Sequence, residues 1–271
     1  ISLPYVSTED ISPEGTASNG VTCYDCTTPN GNIGIGSIEK ITYRSAPINI
    51  SGIPPAQGWV FTFDDFSRNG NITNLQNPLN YGVTLTAKIF NVGATNNACH
   101  DSSPKFLQTP HFVSCVGKPY KLNLNPVDPD LDSLHITFDQ PLTNLNNNPY
   151  VEGLNPTPIP FVAGFNSNSP TPSTAMMPGN INTQIDNQTG EITFLSNLVG
   201  NFNVKIKVTS FRDKKKVSEV VHEMQIIVTN CLGNNNPPIV TAPFAGTYET
   251  DVMAGDLVNF NLIAADLETL Q

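Results

Sequence analysis

The stretch from Asn201 to Asn230, NFNVKIKVTSFRDKKKVSEVVHEMQIIVTN, restricts the fold more than any other part of the chain. NFNVKIKVTSF and VVHEMQIIVTN are rich in β-branched and aromatic residues and flank RDKKK, a short polar loop. That order reads as a β-hairpin. Similar runs recur along the chain. SIEKITYRSAPINI, GWVFTFDD and VTLTAKIF alternate apolar with polar residues, PYKLNLNPV, LHITFDQ and GEITFL follow, and turn-formers such as SGIPPAQG and NGNITNLQNP lie between strands. Charged residues make up 13%, about half the globular average, while 23 Pro and 19 Gly stand among many Asn, Ser and Thr. The expected fold class is all-β, as tandem β-sandwich domains.

A chain of 271 residues exceeds the usual size of one domain. Residues 1–30, low in hydrophobicity and without periodicity, read as an N-terminal arm, mobile or docked. Residues 31–97 read as a first β-sandwich and 98–232 as a second, with the linker-like GATNNACHDSSP at their junction. The Pro- and Asn-rich segment from NLNNNPYVEG to MMPGN is a loop excursion, or holds a short strand around Phe161. Residues 236–271 read as the start of a third, truncated β domain. The evidence is internal: VGKPYKLNLNPVDPDLDSL aligns with AGDLVNFNLIAADLETL when the extra Asp-Pro is removed. A repeat period near 136 residues signals tandem modules.

Several function classes have little support. A net charge of -10 and a pI near 4.7 disfavour nucleic acid, because the cations needed to replace phosphate counterions are scarce. No apolar run is long enough to span a bilayer, so no membrane span is expected. The chain begins at Ile1, which fits a removed signal peptide or an excised fragment. There is no G-x-S-x-G, H-E-x-x-H or P-loop, and the four histidines (His100, His111, His135, His222) lie in unrelated contexts. GNIGIGSIEK lacks the third glycine of a dinucleotide fingerprint and leads into a strand pattern. The expectation is a non-catalytic protein with no organic cofactor.

Five cysteines among Asn-rich loops favour an oxidising compartment. Cys23 and Cys26 form a C-x-x-C without a second half for zinc, so a local disulfide in the arm, or a bridge from one of them to a distant cysteine, is expected. Cys99 and Cys115 flank the entry to the second domain, and a bridge there would stabilise by about 3 kcal/mol in the chain-entropy model. Cys231 is then the leftover, or the partner of Cys23 or Cys26. In NPVDPDLDSL, the alternate carboxylates Asp128, Asp130 and Asp132 are candidate metal ligands with Ca²⁺ as the ion, against a plain Asx-rich turn. Trp59 is expected to plug a core rather than stack on a ligand, and Lys214–Lys216 to form a solvated hairpin tip.

The blocks SIEKITYRSAPINISGIPPAQGWVFTFDDFSRNGNITNL, SSPKFLQTPHFVSCVGKPYKLNLNPVDPDLDSL and SFRDKKKVSEVVHEMQIIV, in that order, resemble the large surface proteins of gliding Bacteroidota exported by the type IX secretion system. The likeness lies in the Tyr-Arg-Ser, Pro-Pro-x-x-Gly-Trp and Arg-Asn…Thr-Asn pattern and covers roughly residues 32–230. It implies immunoglobulin-like and cadherin-like repeats. It also implies an extracellular or outer-surface location, an N-terminal part of an adhesin associated with gliding motility or attachment, and partners among cell-surface or secretion-machinery proteins and surface glycans. The alternative is a carbohydrate-binding or accessory region of a large secreted enzyme. The family's acidic turn carries Gly where this chain has Leu131, and its Asp-Ser/Thr-apolar glycan acceptor matches Asp132-Ser133-Leu134.

Overall fold

The structure, a computed structural model, describes residues 3–10, 39–66, 68–91, 101–108, 113–230 and 239–265. In chain order the strands are β1 (Tyr5–Asp10), β2 (Glu39–Tyr43), β3 (Trp59–Asp65), β4 (Val83–Ile89), β5 (Lys105–Phe106), β6 (Val113–Cys115), β7 (Pro119–Leu122) and β8 (Pro126–Val127). They continue as β9 (Ser133–Phe138), β10 (Ile181–Ile185), β11 (Ile192–Leu195), β12 (Gly200–Arg212), β13 (Lys215–Thr229), β14 (Ile239–Thr241) and β15 (Ile263–Ala265). The protein is almost all β, in several antiparallel sheets, with no α-helix among the described residues.

The expected hairpin is the longest pairing. β12 and β13 meet from Gly200↔Val228 to Arg212↔Lys215. Their two-residue loop, Asp213-Lys214, has φ of 50° and 64°, the positive pair that matches hairpin twist. Phe202, Val204, Ile206 and Val208 face one way on β12, beside Met224, Ile226 and Val228 of β13. Against them lies a second sheet, in the order β10-β11-β7, which contributes Tyr120, Leu122, Ile192 and Phe194 to the same apolar core. Burial of each such side chain contributes about 1.5–3 kcal/mol.

The other face of β12 is also covered. Asn203, Lys205 and Thr209 are buried there although they are polar, so β12 is enclosed on both sides without the continuous apolar run that usually marks such a strand.

The expected division near residue 97 is crossed by hydrogen bonds. β3 pairs with β4, and β4 pairs with β13 through Ile89↔Ser218 and Ala87↔Val220, giving one sheet in the order β3-β4-β13-β12-β9. β6 lies parallel to β13 further along, at Ile227–Thr229. Between these two partners Arg68 bridges the split. Its Nε donates to Gly82 O (2.6 Å), its Nη2 to Leu142 O (3.0 Å) and its Nη1 to Glu223. Asn74 completes the tie by donating to Asn203 O and accepting from Asn203 N–H. The first strand set lacks a cover of its own and joins the larger sheet, because its loops carry these buried donors.

Of the N-terminal arm, residues 5–10 form a strand paired with 39–43, a docked arrangement. The internal echo is structural as well. Gly117 (φ 74°) and its counterpart Gly255 (φ 98°) sit in the same turn, where Lys118 N–H donates to Cys115 O and Asp256 N–H to Met253 O. β5 meets β8 as Lys105↔Val127, and β14 meets β15 as Ile239↔Ala265, the residue aligned with Val127.

Candidate functional site

Around the acidic turn three carboxylates, Asp101, Asp130 and Asp132, meet one guanidinium, Arg212. Asp128, buried, accepts the amides of Asp130 (2.8 Å) and Asp132 (3.3 Å) through Oδ1, so it organises the turn. Leu131 there has φ 64°, a left-handed conformation that costs a side-chain-bearing residue about 1–2 kcal/mol. Asp130 Oδ2 accepts Ser102 N–H at 2.6 Å, and Asp132 receives Arg212 Nε (2.8 Å) and Nη2 (2.6 Å), a bidentate pair. The same Nη2 reaches Asp101 Oδ1 at 3.2 Å. Burial raises the pKa of Asp101 most, with Asp128 and Asp132 pushing the same way and Ser218 and Arg212 opposing. The three expected metal ligands thus already have partners: backbone amides for Asp128, Ser102 and Arg212 for Asp130, and Arg212 for Asp132. Among the described residues no group of three or more His, Cys, Asp or Glu is arranged to hold a metal ion. Asp101 Oδ2 and Asp128 Oδ2 are buried with no hydrogen-bond partner.

A second constellation runs across the outer face of the six-stranded sheet, opposite the apolar core. At its deep end the side chains of Arg68 and Glu223 are 4% and 5% exposed, and Asn203 Nδ2 donates to Glu223 at 2.8 Å. Lys205 Nζ is fully buried, 3.7 Å from Asp139 Oδ2 and without a hydrogen bond. Burial depresses its pKa, and Asp139 and Glu223 only partly oppose this.

At the open end is a cleft of about 520 Å³. Its floor is Lys88 of β4, Lys207 of β12 and Glu219 of β13, its walls Tyr150 and Glu152 of the loop excursion and Asp139 just after β9, and its rim Gln57. Every cation there faces a carboxylate: Lys88–Glu152 at 2.6 Å, Lys216–Glu219 at 2.7 Å and Lys207–Asp139 at 3.9 Å. Tyr150 Oη also donates to Glu152 Oε2 (2.7 Å). Burial pushes the Glu152 pKa up, but hydrogen bonds from Lys88 and Tyr150 outweigh it and leave the group below the usual carboxylate range. Lys216 Nζ lies 4.7 Å from the Phe90 ring centroid, a cation–π contact.

The remaining expectations fall in various places. Cys23, Cys26, Cys99 and Cys231 lie outside the described residues. Cys115, at the end of β6, is disulfide-bonded. Trp59, Phe61 and Phe63 share one face of β3, where Trp59 is half-buried, outside the main apolar core, and Phe63 is 40% exposed. Gln57 sits in the turn closed by Gly58 N–H to Pro55 O, where Gly58 has φ 81° and a Cβ would stand 2.8 Å from Ile89 O. Ser133 donates its hydroxyl to Phe211 O.

Sequence reasoning missed the cleft. Its residues come from distant segments, and the available signal was the pair Lys205 and Lys207 at positions of β12 that alternate with apolar ones. Arg68, Asn69, Thr73 and Asn74, which carried the Arg-Asn…Thr-Asn resemblance, are internal ties: Asn69 donates to Gln225, and Thr73 N–H to Asn201 O. No family model, curated protein or solved structure matches the chain.

Proposed function

We propose that this chain is a non-catalytic part of a secreted, multidomain adhesin displayed on the outer cell surface, exported by type IX secretion and associated with gliding or attachment. The observation that supports this reading best is the repeated unit. The Gly117 turn with the β5–β8 pair recurs as the Gly255 turn with the β14–β15 pair, the second strand of each ending at the aligned residues Val127 and Ala265, as tandem immunoglobulin-like or cadherin-like modules would require. Tandem modules lengthen a stalk because each contacts mainly its neighbours. The test is antibody labelling and protease shaving of intact cells that produce the protein. Surface exposure is expected; a protein protected until lysis overturns the reading.

Ca²⁺ belongs to the same proposal. Asp101 Oδ2 and Asp128 Oδ2 have no other partner and would accept a hard divalent cation, with Asp130 and Asp132 completing the oxygen set in competition with Arg212. At ten times Kd the ion would stabilise by about 1.4 kcal/mol. Melts of the chain in millimolar Ca²⁺ and in chelator should then differ by a few degrees; superimposed curves defeat the Ca²⁺ assignment alone.

The second reading, a carbohydrate-binding region of a secreted enzyme, is favoured by the polar cleft over the sheet face.

A further inference from the structure

We propose that the cleft bounded by Lys88, Tyr150, Glu152, Asp139, Lys207 and Gln57 binds a short neutral oligosaccharide. This deepens the reading of the chain as a binding module and rests on it for biological meaning, but not for its chemistry.

Three observations choose the ligand class. The first is charge balance. Lys88, Lys207 and Lys216 are matched by Glu152, Asp139 and Glu219, so the cleft has no net charge to offer, and an anion or a cation would have to displace an existing partner. The chain's net charge of -10 further disfavours acidic glycans. A neutral ligand with many hydroxyls can instead donate to the carboxylates and accept from the ammonium groups, gaining charge-assisted hydrogen bonds without breaking the pairs.

The second is the backbone. β4, β13 and β12, which form the floor, are interior strands, with β3 and β9 beyond them. Their ladders are occupied on both sides at this point, as Ile89↔Ser218 and Lys207↔Val221 illustrate. An extended peptide therefore finds no free edge to join, the usual source of main-chain affinity for peptides on sheets. Recognition has to come from side chains.

The third is preorganisation. Glu152 is fixed by two donors, and Lys216 is held against both Glu219 and the Phe90 ring, so these polar groups are already oriented. Pro156, Pro158 and Val221 add apolar surface for the C–H faces of pyranose rings. A volume of about 520 Å³ is within the range that encloses a small ligand.

The experiment titrates the purified chain with neutral hexasaccharides of glucose, mannose, galactose and N-acetylglucosamine, with hexagalacturonate, and with a blocked Gly/Ser hexapeptide, followed by calorimetry and amide chemical shifts. Saturable binding of at least one neutral sugar is expected at millimolar concentration or below, with shifts centred on Lys88, Glu152 and Lys207. Tyr150→Phe and Gln57→Ala should each weaken it by about tenfold or less, and the double variant by more than either. Gln57 lies on an exposed turn, so its loss leaves the sheet intact, and an unchanged melt of each variant checks this. No saturation by any neutral sugar, preference for hexagalacturonate or the peptide, or binding indifferent to both substitutions overturns the proposal. Surface labelling of cells is unaffected by any of these results, so failure here and failure of the adhesin reading are separable.

Discussion

Residues 116–127 and 254–265 carry the same pattern and meet different fates. In the first, Tyr120 and Leu122 belong to a paired strand and are 8% and 6% exposed. In the second, the aligned Val258 and Phe260 are 39% and 54% exposed and pair with no strand. The turn and the short two-stranded pairing are common to both, so these are set locally: a glycine in a left-handed turn and a pair of extended residues facing another. What differs is the long hairpin. β7 buries one face because β11 pairs with it and β12 and β13 present apolar side chains opposite. A two-stranded pairing alone is marginal in water.

That contrast can be broken most strongly from the far side of the sheet. Arg68→Ala leaves Glu223 buried without its countercharge and opens the split between β4 and β13, and should cost about 3–5 kcal/mol. Urea unfolding followed by the loss of Tyr120 burial should move to a much lower midpoint, while amide signals from 254–265 stay as they were. If both regions change together, they form one cooperative unit and the contrast fails.

Truncation at aligned positions measures the difference directly. Leu122→Ala should cost about 2–5 kcal/mol, whereas Phe260→Ala, which loses little more than a ring contact with Phe244 (centroids 5.4 Å apart), should cost about 1 kcal/mol or less. Equal losses in chemical denaturation would mean that Phe260 is buried in solution as deeply as Leu122.

Next in size is a pH effect. His222 packs against Phe106 of β5, with ring centroids 5.1 Å apart, and burial lowers its pKa, with Glu223 only partly opposing. The unfolded chain therefore binds this proton more readily. Stability should fall as pH drops below about 6.5, by at most about 1.4 kcal/mol per unit, and level off below the folded-state pKa. His222→Leu should flatten that limb of the stability–pH curve. An unaltered slope in the variant would place the titration elsewhere.

The smallest effect concerns the acidic turn that follows the first copy's β8. Leu131 is 92% exposed at φ 64°, so Leu131→Gly removes strain at no loss of packing and should stabilise by about 0.5–1 kcal/mol. A lower melting temperature would show that the Leu131 side chain makes contacts the strain argument omits.

The class of structure and its local joints are legible in the residues alone. Alternation over β12 and β13 specified a hairpin, RDKKK supplied its turn, and the repeated glycine predicted a repeated turn, because strand period and φ sign depend on neighbouring residues alone. The Asp128 turn was legible too, as an Asx-rich bend, since its amide donors lie two and four residues away. Long-range packing is what brings residues 59–89 into the larger sheet, Arg212, 80 residues from Asp132, into the acidic turn, and Lys88, Glu152 and Lys207 into one cleft. Each of these depends on which distant side chain satisfies a buried polar group. Nothing in a local pattern names that partner: a lysine at an alternating position reads the same whether its face meets water, as the rim of the cleft does, or is itself fully buried beside a carboxylate, as Lys205 is.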